Sequence, residues 1–280
     1  MSDLPYFDAL LEQLNQHNPA VELAFGKHVH WGYWATPDQA ALSPEAFGEA
    51  AELLTRELCR SAGIQNGDRV LDVGCGFGGT VASIDDNYAG MEIVGLNIDP
   101  RQLARARIRV TPKTGNRIRF LPGNACALPF ADNSFDVVTA VECIFHFPDR
   151  HRFFEEAHRV LKPGGHLAIS DFVPVAVLSP ATAWAAYRPG SSSFYGRCNL
   201  RCTLTGYHRL AEKTGFVTEM ERDITANTLP TYSFLRRLGR ELGIISPSAI
   251  VETTFAECTS RLGLLRYMLF NFRASRISEQ

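Results

Sequence analysis

Ten residues, VLDVGCGFGG from Val70 to Gly79, limit the fold more than any other stretch of the chain. An apolar run leads into closely spaced glycines, and a helix-length segment, Gly79–Tyr88, follows. Glycine lets the backbone turn tightly and approach a ligand, while the N–H groups opening the next helix face whatever lies in the turn. The pattern predicts strand, glycine turn and helix, with a nucleotide-like cofactor as the natural occupant. Asp72 stands at the strand end, where dinucleotide-binding loops usually carry an apolar residue or glycine. Its carboxylate can either order the turn or meet a cationic ligand group.

The alternation continues downstream. Arg69–Val73, Met91–Asn97, Ile118–Leu121, Phe135–Val141 and His166–Phe172 read as strands. Between them Gly79–Tyr88, a segment opening at Pro100, and His151–Leu161 read as helices, the last ended by KPGG at Lys162–Gly165. Short apolar runs alternating with helices predict βαβ units and a parallel sheet. Leu204–Thr214 reads as a further helix, with Val217–Asp223 and Leu264–Phe272 as the last strands. Three segments fall outside this pattern: residues 1–60, mostly helical; Pro174–Thr203, rich in Pro, Ser and Gly; and a helical stretch over 228–262. The length suits one large domain, 1–280, made of a helical cap (1–60), a cofactor-binding core (61–173), a lid insertion (174–203) and a C-terminal part (204–280). Insertions at the ends of parallel strands are placed to roof a ligand crevice.

Composition narrows the function classes. The net charge is −2 and no basic run occurs, so nothing marks a nucleic-acid surface. No apolar run approaches the ~20 residues of a membrane span, which argues against integral membrane association. The N-terminus MSDLPYFDALLEQLNQ has an early acid and helical spacing rather than a secretory pattern, which predicts a cytoplasmic location. Seven scattered cysteines fit reduced thiols. Cys198 and Cys202 have no second pair, and His28 and His30 have no third ligand, so no metal is expected. The expected partner is a small molecule, and a monomer and a homodimer both stay open.

Four ordered motifs carry a resemblance: LDVGCGFGG, then GLNIDP at the second strand end, GNACALPFADNSFD over Gly123–Asp136, and RVLKPGGHLAISDF over Arg159–Phe172. The chain resembles the class I S-adenosylmethionine-dependent methyltransferases that act on small molecules such as sugars, quinones, tocopherols and natural products. The resemblance implies an α/β, Rossmann-like fold: a seven-stranded, mostly parallel sheet with helices on both faces and helical lid insertions. The terminal LLRYMLFNFRA resembles the family's last antiparallel strand. It implies S-adenosylmethionine as cofactor, with S-adenosylhomocysteine as product. By the same resemblance the cofactor lies against Asp72, Gly74, Cys75, Gly76, Asn97, Ile98, Asn124 and Ala125, with Glu142 and Tyr33 also in contact. Asn97 and Asn124 stand where the family usually has acids. An asparagine oxygen still accepts one hydrogen bond and its amide donates another. Asp99 is either a ribose partner or the N-cap before Pro100, and the N-cap reading is favoured.

AVECIFHFPDR, Ala140–Arg150, places His146 between two phenylalanines just beyond the fourth strand. Open parallel sheets bind ligands at that end, and a hydroxyl acceptor must lose a proton as it attacks. His146 is therefore either a packed loop residue or the group that takes this proton. It matches a histidine before Pro-Asp in related sugar and quinone methyltransferases. Asp171 matches an acid at the fifth strand end of a sugar O-methyltransferase, expected to orient His146 or share its proton, and Glu142 resembles a glutamate of the tocopherol enzymes. KHVHWGYW, Lys27–Trp34, either packs the N-terminal helices or, like a GYW element in related enzymes, covers the cofactor. Trp31, Phe145, Trp184, Tyr187 and Tyr195 are expected to line the acceptor pocket. O-methylation in secondary metabolism is the leading function. C-methylation of an aromatic ring or prenyl chain is the alternative, and an NAD-dependent oxidoreductase or a noncatalytic cofactor-binding module are the readings from other classes.

Overall fold

The first strand, β1 (Arg69–Val73), is buried along all but its first residue, as expected for a strand covered on both faces. It pairs in parallel with β2 (Glu92–Asn97) on one side and with β4 (Phe135–Val141) on the other. Outside β2 lies β3 (Arg117–Pro122), and outside β4 lies β5 (Leu161–Pro174), both also parallel. With β6 (Phe216–Asp223) and β7 (Leu265–Ala274) the sheet has seven strands in the order β3-β2-β1-β4-β5-β7-β6. The computed structural model describes residues 4–113, 115–178, 195–196, 198–243 and 247–275.

Among the described residues the α-helices are α1 (Pro5–Asn15), α2 (Pro19–Phe25), α3 (Pro44–Ser61), α4 (Gly79–Asn87), α5 (Pro100–Arg109), α6 (Arg150–Val160), α7 (Leu204–Lys213), α8 (Thr225–Leu242) and α9 (Pro247–Arg261). Local chemistry sets several of their starts. Asp99 accepts a hydrogen bond from the Arg101 N–H and Asp149 one from the Arg152 N–H, so each caps the helix that follows.

The boundary at the start of β5 differs most from the sequence reading. The sixth helix ends at Val160, and Lys162–Gly165 does not form a separate loop but lies within β5. Phe135 pairs with Leu161, yet Val137 already pairs with His166, so these residues form a bulge in the strand. Gly164 takes a φ of 85°, and a Cβ on Gly165 would lie 2.7 Å from the Asp136 carbonyl oxygen. The Pro-Gly-Gly chemistry that suggests a turn supplies the bulge instead.

The chain divides into two compact units. One comprises Thr55–Asp171, Thr205–Arg222 and Met268–Gln280, and contains most of the sheet. The other gathers Met1–Leu54, Phe172–Leu204 and Asp223–Tyr267. Its core joins Ala24, Trp34, Phe47 and Ala50 to Phe234 and Leu238 of α8. The Phe47 and Phe234 rings stack 4.4 Å apart at 9°.

Candidate functional site

The strand order reverses direction between β1 and β4: from β1 the chain moves outward to β2 and β3, then returns to β4 on the other side. Open α/β sheets leave a crevice at such a switch point, outside the carboxyl ends of the strands. The loops after β1 and β4 meet there. Cys143, just past β4, donates its S–H to the Val73 carbonyl at 3.2 Å.

Gly74, Gly76 and Gly78 take φ values of 75°, 53° and 82°, a region costly for residues with a Cβ. A Cβ on Gly74 would lie 2.7 Å from Cys143 Sγ, and one on Gly78 3.0 Å from Phe120 Cζ. The Gly74 and Cys75 N–H groups both donate to the Leu96 carbonyl, which pins the loop to β2. No side chain caps α4.

Asp72 sits under this loop, 1% exposed. Its Oδ1 accepts from the Thr139 hydroxyl at 2.8 Å, and its Oδ2 is buried with no hydrogen-bond partner among the described residues. Burial pushes the carboxyl up to about 7, against the opposing pull of the Thr139 hydroxyl. Burial, and then the Asp72 charge, also hold the Cys75 and Cys143 thiols well above their usual range, so neither is a nucleophile. A carboxyl raised on folding contributes stability below its unfolded pKa and loses it as pH rises through the folded value. Melting temperatures of the protein should therefore fall relative to Asp72→Asn between about pH 4 and 7. Parallel pH profiles for the two proteins would refute the buried, unpaired carboxyl.

Around the crevice the asparagines have local partners. Asn97 Oδ1 accepts from the Asp99 N–H at 3.0 Å, and its amide donates to Gln102 Oε1 at 2.9 Å. Asp99 is the N-cap of α5, and Ile98 beside it is 65% exposed. Asn124 Oδ1 accepts from the Cys126 N–H at 2.9 Å, and Ala125 is buried.

Beyond β4, Glu142 adopts a φ of 49°, a left-handed conformation that a glutamate holds only when its surroundings require it. Its N–H faces the Ser170 carbonyl at 3.2 Å and the Ser170 hydroxyl at 3.0 Å, both on the neighbouring strand. A single 3-10 turn, Ile144–His146, follows. Ile144 and Phe145 are buried, whereas His146 is partly exposed with its ring edge-on to Phe145 at 4.4 Å. The sequence pattern of a histidine between two phenylalanines thus resolves into a buried Phe145 and a partly exposed His146 packed against it.

Asp171 is fully buried. Its Oδ2 accepts from Arg150 at 2.9 Å and from the Tyr207 hydroxyl, and the Arg150 guanidinium lies 5.6 Å over the Tyr207 ring. Sequence reasoning missed Arg150 and Tyr207. Asp149, in the N-cap position, hints that α6 begins at Arg150, but nothing local says that this arginine turns inward.

In the other unit, Trp31 packs edge-on against Tyr232 at 4.2 Å and Phe172 at 5.2 Å. The Gly32 N–H and Trp34 Nε1–H share the Thr231 hydroxyl, and the Tyr33 N–H donates to the Ala50 carbonyl at 2.8 Å. Tyr195 exchanges a hydrogen bond with the Thr253 hydroxyl at 2.8 Å. Trp184 and Tyr187 lie outside the described residues. Among the described residues no group of three or more metal-ligating side chains occurs, and no helix is long and apolar enough to cross a membrane.

Comparison with known proteins agrees with the fold. Residues 71–169 match the family model of a methyltransferase domain. The chain is 34% identical over 235 residues to methyltransferase GfsG of Streptomyces halstedii, covering 80% of each protein. It is 32% identical to the 27-O-demethylrifamycin SV methyltransferase of Amycolatopsis mediterranei, covering 81% of this chain and 78% of that one. The fold matches the solved structure of a sarcosine dimethylglycine methyltransferase, itself a tentative assignment, from Galdieria sulphuraria with a TM-score of 0.72, at 22% identity and over 93% and 98% of the two chains. A glycine loop at the switch point of a seven-stranded sheet, matched in sequence over four fifths of the chain, makes this protein a member of the class I S-adenosylmethionine-dependent methyltransferases that act on small molecules.

Proposed function

We propose that the enzyme methylates a hydroxyl oxygen of a partly hydrophobic small molecule, with His146 accepting the hydroxyl proton. The observation that carries this reading is the partly exposed imidazole of His146 on the turn after β4, at the switch point. The likeness to an enzyme named for O-demethylrifamycin supports oxygen as the target.

The cofactor-side residues fit S-adenosylmethionine. The orphaned Asp72 Oδ2 suits a cationic group, and glycines whose φ values favour no side chain leave the backbone open to close approach. When bound, S-adenosylmethionine supplies a methyl group activated by a sulfonium, which leaves without acid assistance. Asp72, Gly74 and Gly76 would hold it, with Asn97, Asn124 and Ala125 at the nucleoside side. Gly76→Val is expected to abolish cofactor binding measured by calorimetry, because a β-branched side chain fills the approach and disfavours the left-handed backbone. Unchanged affinity in a folded variant would sink the assignment.

His146 would hold the acceptor hydroxyl and take its proton on a ring nitrogen as the oxygen attacks. Asp171 contributes by holding Arg150 and Tyr207 rather than as a base, because a carboxylate oxygen that already accepts two strong donors has little drive to take a proton. Glu142 supports a second reading, transfer to carbon, because its left-handed backbone holds a carboxylate at the same strand end. Incubating the protein and cofactor with hydroxylated apolar acceptors, then locating the added methyl by NMR, separates the two. A methyl group on carbon would overturn the oxygen reading.

A further inference from the structure

The segment that leads into the aromatic run carries two buried histidines, joined in a chain of polar groups that the proposed reaction does not use. Glu52 Oε2, from α3, lies 2.8 Å from His28 Nε2. His28 Nδ1 lies 3.1 Å from His30 Nε2, and His30 Nδ1 lies 2.9 Å from the Trp31 carbonyl oxygen. His28 is 3% exposed and His30 8%.

Counting protons along this chain fixes its state. Each of the three hydrogen bonds needs one proton, and the two ends, a carboxylate and a carbonyl, are acceptors. Two neutral imidazoles carry two protons between them, so a third is bound. The Trp31 carbonyl requires the proton of His30 on Nδ1, which leaves His30 Nε2 as an acceptor and His28 Nδ1 as its donor. His28 Nε2 then faces Glu52, and the third proton lies in that bond. Burial, and then the neighbouring His28, lower the His30 pKa to about 3, so His30 stays neutral. Glu52 Oε2 also lies 2.6 Å from Lys27 Nζ, a cation that favours the ionised carboxylate and so leaves the third proton on His28.

We propose that ionised Glu52 and doubly protonated His28 act through neutral His30 as a strut that positions the aromatic run Trp31–Trp34. Among the described residues, Lys27, from the same segment, and Glu52, from α3, are charged or titratable groups that face the two rings. The strut ends on the Trp31 carbonyl, and the next three residues are fixed through Thr231, Ala50 and Asn227. These are positioning residues, and the inference rests on the reading of Trp31 as an acceptor contact.

Glu52→Gln tests the proton count without breaking the chain. A glutamine N–H can donate to His28 Nε2, so three hydrogen bonds close with two neutral imidazoles and no extra proton. Nitrogen NMR of the histidine rings in the full chain at neutral pH should show both nitrogens of His28 protonated and only Nδ1 of His30. In Glu52→Gln, His28 should carry a proton on Nδ1 alone. Glu52→Ala should raise the acceptor KM about ten-fold, and Glu52→Gln should restore most of that loss. The KM of the unaltered enzyme should rise at alkaline pH as the third proton leaves, and that of Glu52→Gln should not. A singly protonated His28 in the unaltered protein would overturn the strut, as would equal KM values for the alanine and glutamine variants. An unchanged acceptor KM in Trp31→Ala would instead overturn the reading of Trp31, while the ring spectra still decide the strut.

Discussion

Asp171→Ala is expected to destabilise the sheet-bearing unit by about 3–5 kcal/mol, the usual effect of removing one partner of a buried ion pair. The Arg150 side chain is 8% exposed and Asp171 is not exposed at all, so the guanidinium left behind has little water to turn to. The Tyr207 hydroxyl, also buried, loses its acceptor in the same step. Much of the effect is the cost of the stranded charge rather than the worth of the pair. Replacing both charges, as in Asp171→Leu with Arg150→Met, should therefore recover much of the lost stability. Denaturant unfolding of the single and double variants checks this, and a double variant no more stable than Asp171→Ala would refute it.

His146→Ala is expected to lower kcat by about 10²- to 10⁴-fold, the range contributed by a positioned general base. Cofactor affinity should change little, because binding the donor does not involve moving the acceptor's proton. The imidazole stands partly open on its turn while its neighbours Ile144 and Phe145 are buried, so truncation leaves the turn's anchors in place. Single-turnover rates with calorimetry on the same variant separate chemistry from binding. An unaltered rate under chemistry-limited conditions would return His146 to the role of a packed loop residue.

The sheet was legible because its strands are short apolar runs punctuated by strong signals. Arg69–Val73 and Phe135–Val141 have the bounds read from their residue types, and Pro100 marks the start of α5. KPGG follows the end of the helix, as read, but it lies inside β5 rather than before it, because glycine and proline report unusual backbone geometry, which a bulge needs as much as a turn. The loop after β1 is readable because backbone geometry selects glycine within a few consecutive residues. The Arg150–Asp171–Tyr207 group is not, because its members are 21 and 36 residues apart and meet only through strand order. His28 and His30 are visible as a pair, but Glu52 comes from α3 and supplies no local signal.

The three-segment make-up of the unit that contains Trp34 has a consequence for how the chain is born. Phe47 stacks on Phe234, Trp34 is bonded to Thr231, and the Ile224 N–H is bonded to the Tyr267 carbonyl. Partners this distant make the contact order of that unit high, and such pairings form slowly because a long loop must close first. On the ribosome Trp34 and Phe47 stay uncovered until α8, which carries Thr231, Phe234 and Leu238, has been made. The sheet strands β1 to β5 emerge within one continuous stretch and can pair earlier. The segment before β1 is thus made ahead of the sheet and completed after it, which leaves its apolar side chains in need of a chaperone for longer.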